Sequence, residues 1–178
     1  MTIWVSSRLV APQLARQHNV VKAVSLLAPG DTFPTIDHLD DTSHLKLAMD
    51  DVDLPEANLQ PPQKEHVQQL ISFMEDWTRD DPVLIHCWAG ISRSSASAFI
   101  TACLHNPDAD EFEIAKNLRK ASRTAKPNRR LIQFADELMS RDGRMIDAVA
   151  SMGPHDFSVE AKPFSISSVF NKARGHWV

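Results

Sequence analysis

The chain has 178 residues, 43% hydrophobic and 24% charged, with a formal net charge of −4. That length carries one full core and is short for two domains, and the acidic balance argues against nucleic acid or an anionic membrane as main partner. No apolar run approaches the roughly 18 residues of a membrane span, and Met1-Thr2-Ile3-Trp4-Val5 does not read as a signal peptide. Two cysteines, Cys87 and Cys103, give no disulfide framework, so a reducing, cytoplasmic setting is expected.

Ile3-Trp4-Val5 reads as a first strand, a helix is expected through Leu14-Ala15-Arg16, and Val20 to Leu27 is apolar enough for a second strand, ended by Pro29-Gly30. Residues 30–44 read as polar loop. A short strand, Leu45 to Met49, then leads into the acidic run Asp50, Asp51 and Asp53. After Pro61-Pro62, Val67, Leu70, Ile71, Met74 and Trp77 or Thr78 recur at helical spacing, and Pro82 breaks that helix before the buried strand Val83-Leu84-Ile85. Ser94 to Leu104, rich in Ala and Ser, reads as a helix. Asn106-Pro107-Asp108 is expected to open another, with Asp108 and Glu111 at capping-box spacing and Ile114, Ala115, Leu118 and Ala121 as its apolar stripe. Pro127-Asn128 starts a further helix that packs Leu131, Ile132, Ala135, Leu138 and Met139.

Strands alternating with helices predict an α/β fold: a three-layer single domain with a mostly parallel central sheet of about four to five strands, flanked by helices, and its active site at the carboxyl ends of the strands. From Gly153-Pro154 onward, Phe157, Val159, Phe164, Ile166, Val169, Phe170 and Trp177 are too apolar for a plain disordered tail. The expected division is a domain of residues 1–152 and a tail, 153–178, that packs back on it or reaches onto a partner subunit to make a homodimer.

The chemistry lies in His86-Cys87-Trp88-Ala89-Gly90-Ile91-Ser92-Arg93-Ser94, between the buried strand and the Ala/Ser-rich helix. Five residues between Cys87 and Arg93 let the backbone curl so that successive N–H groups of Trp88, Ala89, Gly90, Ile91, Ser92 and Arg93 face an anion, with Gly90 supplying the permissive backbone. Arg93 opens the helix, whose N-terminal dipole adds to the positive field. A free thiol has a pKa near 8.5 and is about 3% ionised at pH 7, so complete conversion to thiolate is worth at most about 30-fold. Enzymes reach at least roughly 10⁶-fold, so most of the rate must come from positioning the phosphoryl group and neutralising its equatorial oxygens. Arg93 suits that task because its planar fork matches two phosphate oxygens.

This segment resembles the signature loop of the cysteine-dependent protein tyrosine phosphatase superfamily, a phosphatase-type P-loop, and is most similar to the dual-specificity branch. The resemblance implies a protein phosphatase, a hydrolase working without metal or other cofactor. In it Cys87 attacks phosphorus to form a phosphocysteine intermediate, Arg93 holds the phosphoryl oxygens, the Ser94 hydroxyl helps the thiolate leave, and His86 supports the loop. The family's general acid is an aspartate on a loop upstream of the cysteine, one residue past a strand. Asp51 stands there, with Asp50 as the intervening, supporting position and Asp53 further along. Like charges this close raise one another's pKa, which favours a protonated acid. The pair Pro127-Asn128 is also similar to dual-specificity phosphatases.

Two departures bear on specificity. The chain has no tyrosine, hence no tyrosine-bearing substrate loop to deepen the pocket, and Trp88 is the residue left to wall it. The basic run Arg119, Lys120, Arg123, Lys126, Arg129 and Arg130 reads either as a solvated face or as a rim where Arg129 or Arg130 attracts acidic phosphorylated substrate. The expected activity is hydrolysis of phosphotyrosine, and of phosphoserine or phosphothreonine in dual specificity, on a phosphorylated protein or small phosphomonoester. The alternatives are a phosphate-binding pseudophosphatase module and a phosphoinositide phosphatase, although such phosphoinositide loops usually carry lysines where this one has Trp88, Ala89, Ile91 and Ser92. A rhodanese-type sulfurtransferase is disfavoured, since its loop is typically one residue shorter.

Overall fold

The computed structural model describes residues 2–172; Trp177 and the end of the predicted tail lie outside them. Strand β1 (Thr2–Ser7) leads to helix α1 (Ala11–Gln17), started by Pro12 in its first turn, and then to β2 (Lys22–Leu27) and β3 (His44–Ala48). Helix α2 (Lys64–Glu75) precedes β4 (Val83–Cys87), which feeds directly through the Cys87–Arg93 loop into α3 (Arg93–Leu104). Helices α4 (Glu111–Ala121), α5 (Arg129–Leu138) and α6 (Arg144–Ala150) follow, and the described chain closes with β5 (Phe164–Ser167).

The strands form one five-stranded sheet in the order β3-β2-β4-β1-β5. The four strands preceding α3 are mutually parallel, and β5 alone runs antiparallel, pairing Ile3 with Ile166 and Val5 with Phe164. All four parallel strands therefore end on the same edge, which brings Ser7, Leu27, Ala48 and Cys87 to one side of the molecule. Alternation along β4 sorts its side chains between the two layers. Leu84 packs with Ala11, Ala15, Val20, Ala23 and Ile36 under α1, whereas Val83, Ile85 and Cys87 join the larger core beneath the remaining helices.

Helix α3 sits at the centre of that larger core, buried without interruption from Arg93 to Cys103. Its small residues Ser94, Ser95, Ala96, Ser97 and Ala98 allow sheet and neighbouring helices to approach from all sides, a placement that a hydrophobic stripe alone would not give. The predicted three-layer architecture is thus present, with four differences at the helices, the first being α6, a helix the sequence reading did not mark. Helix α4 is capped by Asp110, whose carboxylate accepts from the Phe112 N–H at 2.9 Å, and not by Asp108. The turn after Pro107 takes up two further residues before the helix begins, and Asp108 pairs instead with Lys172 at 3.3 Å. Ala121, at the end of α4, is exposed and leaves Ile114, Ala115 and Leu118 as the buried stripe. Trp77 lies past the end of α2, still buried, its indole N–H donating to the Asp81 carbonyl at 2.9 Å.

The segment after α6 runs back over the domain. Ala161 N–H donates to the Ala89 carbonyl at 2.9 Å, the Ser7 hydroxyl donates to the Glu160 carboxylate, and β5 covers the free edge of β1. Among the described residues no helix is long and apolar enough to cross a membrane.

Candidate active site

Cys87 ends β4 and is 1% exposed, its sulfur 3.1 Å from the Ser94 hydroxyl on the first turn of α3. The turn between them depends on Gly90. This residue has φ +74°, and a Cβ there would sit 2.7 Å from the Ser6 carbonyl carbon and 2.8 Å from the Ser7 nitrogen. Only glycine combines that left-handed backbone with so close an approach to β1. Beyond Gly90, the Ile91 carbonyl accepts from the Lys126 N–H at 3.0 Å, and the Ser95 hydroxyl turns back onto the carbonyls of Ile91 and Ser92. These contacts fix the loop from β1, α3 and the α4–α5 connection.

Arg93 is buried, and one Nη donates to the Met49 carbonyl at 2.6 Å. Its Nε is sealed from solvent and has no hydrogen-bond partner. A buried guanidinium N–H left unpaired is costly, and here the unspent donors belong to the residue that closes the anion loop. Two phosphate oxygens accepting from the fork would satisfy them.

The three acidic candidates separate by their partners. Asp50 holds the loop: its carboxylate accepts from the Gln60 N–H at 2.7 Å, and its own N–H donates to the Gln60 carbonyl at 2.8 Å. Asp53 accepts from the Arg129 N–H at 2.9 Å, at the start of α5. Asp51 turns toward the loop, with one carboxylate oxygen 3.7 Å from Arg93 Nε. Its other oxygen accepts from the Ser92 hydroxyl at 2.6 Å and from the Asn128 side-chain amide at 3.0 Å. The Asn128 Oδ1 meanwhile accepts from the Leu131 N–H at 3.1 Å, so one side chain caps α5 and holds Asp51.

Behind the cysteine lies a buried polar chain that the sequence did not announce. The Ser25 hydroxyl lies 2.5 Å from His86 Nε2 and 2.7 Å from His44 Nε2. Burial pushes both imidazoles down to about 4, aided at His44 by the charge of Lys46, so both rings are neutral at pH 7. A single hydroxyl can donate to only one of the two nitrogens, and the other ring must donate its own Nε2–H. Ser25 thereby couples the tautomers of the two histidines. Register places Ser25 opposite His86 on neighbouring strands, a pairing visible only once the sheet order is known.

Trp88 is 49% exposed, with the Arg8 guanidinium 3.6 Å above its ring, and lines a small depression with Ala89, Val159 and Glu160. The structure thus brings together Cys87, Arg93, Ser94, Asp51 and the loop backbone, keeps His86 behind them, and puts Asp50 in a supporting position. Sequence reasoning missed Ser25, His44, Glu160 and the Met49 carbonyl. Asn128 was marked only by its place in the Pro-Asn pair.

Residues 55–137 match the family model described as protein-tyrosine phosphatase, a span that includes the Cys87–Arg93 loop and Asn128 and begins just after the Asp51 loop. A search of curated protein sequences finds no match. Among solved structures, the Cydia pomonella PTP-2 phosphatase aligns over 76% of this chain and 84% of its own, at 21% identity and a TM-score of 0.57. Human DUSP28 aligns over 78% and 94%, at 15% identity and 0.58. A human tyrosine phosphatase-like serine/threonine/tyrosine-interacting protein aligns over 79% and 92%, at 14% identity and 0.60. At such identities these structures speak for the fold alone, which the chain shares with the phosphatases named, and the family match shows that residues 55–137, with the Cys87–Arg93 loop among them, are similar to protein-tyrosine phosphatases.

Proposed function

We propose that the protein is a metal-independent phosphomonoesterase acting on phosphotyrosine, and on phosphoserine or phosphothreonine, through a phosphocysteine intermediate. The observation that carries this reading is Asp51, which follows the edge strand β3 and lies 3.7 Å from Arg93 Nε, held there by Ser92 and Asn128. A module that only bound phosphate would have no use for a carboxylate beside its anion clamp, where a second negative charge weakens binding.

The phosphoryl group enters the loop with its oxygens on the N–H groups of residues 88–93 and on the Arg93 fork. The Cys87 thiolate attacks phosphorus in line with the ester oxygen, the P–O bond breaks, and Asp51 gives its proton to the departing oxygen. Water then attacks the phosphocysteine with Asp51, now a carboxylate, taking its proton. The P–S bond breaks, and the Ser94 hydroxyl donates to the returning thiolate. Both steps use groups of the chain itself, so no divalent cation is required. The chain has no tyrosine with which to build a tyrosine-bearing substrate loop, so the reading extends to short phosphoserine and phosphothreonine side chains as well as phosphotyrosine.

The test is a pH–rate profile on an aryl phosphate with and without a chelator, followed by trapping of substrate on Cys87→Ser. Activity unaffected by chelator and a stable complex with the serine variant are expected. Activity that vanishes with the chelator would overturn the mechanism.

A further inference from the structure

The cations between Arg119 and Arg130 divide into those already engaged and those that are not. Arg119 spends its guanidinium on the carbonyls of Met152, Ser122, Arg123 and Ala125. Arg123 pairs with Asp156 at 3.5 Å, and Arg130 donates to the Pro62 carbonyl at 2.6 Å while lying over the Phe134 ring. Lys120 faces the opposite side, beside β5. Lys126 and Arg129 remain, with no ion-pair partner for either side chain among the described residues, and both line one cavity of about 570 Å³. His155 stands at its edge, and Ile132, Ile146 and Met152 supply an apolar wall; no carboxylate lines it. Lys126 and Pro127 also line the small depression, about 160 Å³, that holds Asp51 and Ser92. The cavity therefore adjoins that depression, sharing Lys126 and Pro127 with it.

We propose that this cavity is a substrate-flank subsite, taking a phosphorylated polypeptide whose residues beside the phosphoresidue include an acidic side chain, set against Lys126 and Arg129, and a large apolar one, set against Ile132, Ile146 and Met152. The proposal rests on the phosphomonoesterase reading of the neighbouring loop. Its volume falls within the roughly 300–1,000 Å³ of specific ligand sites, and its lining pairs a cationic rim with an apolar floor, the complement of an acidic and apolar peptide flank. A polyphosphorylated lipid headgroup fits less well, because its extra phosphates would lie around the loop itself, where Trp88, Ala89, Ile91 and Ser92 carry no charge and the nearby Arg8 is engaged over the Trp88 ring and with Asp31 at 3.7 Å.

The experiment uses the full chain, two phosphotyrosine peptides of equal length, one flanked by Glu and Leu and the other by Ser and Gly, and p-nitrophenyl phosphate as a substrate without a flank. The Glu/Leu peptide is expected to show a kcat/KM about tenfold above the Ser/Gly peptide, with the gain in KM, and to lose it as salt is raised. Filling the cavity with Ala150→Trp, on exposed α6 surface, is expected to bring the two peptides level while p-nitrophenyl phosphate is hydrolysed as by wild type. Lys126→Glu is expected to reverse the preference for the acidic flank. Equal kcat/KM for the two peptides in wild type, or a preference that survives both variants, would overturn the subsite. So would a short-chain phosphoinositide whose turnover falls in both variants while the peptides keep theirs. Calorimetric titration of Cys87→Ser with the same peptides reads the subsite without turnover: absence of activity on p-nitrophenyl phosphate in wild type would then count against the phosphatase reading, and equal peptide affinities against the subsite.

Discussion

In the proposed mechanism Cys87 and Arg93 carry different parts of the reaction, and substitutions at each should fail differently. Cys87→Ser is expected to abolish turnover while vanadate or phosphate still binds, because the loop N–H groups and the fork are untouched. Arg93→Lys keeps a charge but loses the fork that closes on two oxygens, and should lower kcat by orders of magnitude rather than preserve it. The aspartates give a sharper test. Removing a general acid costs about 10²–10⁴-fold when the leaving group needs a proton. Asp51→Asn should therefore cripple hydrolysis of phenyl phosphate far more than of a strongly activated aryl phosphate, and should erase the basic limb of the pH profile. Asp50→Asn and Asp53→Asn should show neither signature, only the looser loop that follows from losing the Gln60 and Arg129 contacts. The three aspartates look alike in sequence because what distinguishes Asp51 comes from Ser92, 41 positions away, and Asn128, 77 away. His44 and His86 add a pH-dependent contribution to stability. Their folded values lie near 4, against 6.5 unperturbed, so the unfolded chain binds protons that the folded chain refuses. Stability should be fully present above pH 6.5 and fall as pH drops toward 4, by on the order of 1–3 kcal/mol between pH 7 and 5, read from urea midpoints. The drop should shrink in His44→Gln.

At the scale of elements, the Cys87–Arg93 loop is braced from several sides. Gly90→Ala is expected to destabilise the fold by about 2 kcal/mol or more and to suppress activity, since the added methyl meets the backbone of Ser6 and Ser7, which cannot withdraw without unpairing β1 from β4. Thermal unfolding and turnover measured together would check this, and a variant with wild-type values for both would show that the loop has another conformation open to it. The strand and helix order was legible because each element carried its own periodicity and its own punctuation: Pro29-Gly30 after β2, Pro82 before β4, Pro127-Asn128 before α5. The start of α4 was not, because Asp108 and Asp110 both offer a cap and the choice falls to the turn geometry behind Pro107. Strand β5 was hidden as well. Four residues bounded by Pro163 and a buried Ser168 carry too short an alternation to show against the apolar tail around them.

For the whole molecule, the returning segment does two things at once: it covers the edge of β1 and braces the loop through Glu160 and Ala161. Removing residues 153–178 would expose a strand edge beside the active site, and an unpaired edge is a template for association. The shortened chain is expected to form oligomers or aggregate in size-exclusion chromatography and to lose most of its turnover; a monomer with full activity would show that the segment is dispensable. The central helix has a consequence of another kind. At about 1.5 Å of rise per residue, the ten positions from Arg93 to Cys103 put the second thiol some 15 Å along α3 from the loop, far beyond the roughly 4.4–6.8 Å Cα separation of a disulfide. Burial also pushes the Cys103 thiol well above its usual ionisation range, so it is no nucleophile. Peroxide that converts Cys87 to a sulfenic acid would consequently find no resolving thiol inside the described chain, and its reversal would depend on a thiol supplied from solution, such as glutathione.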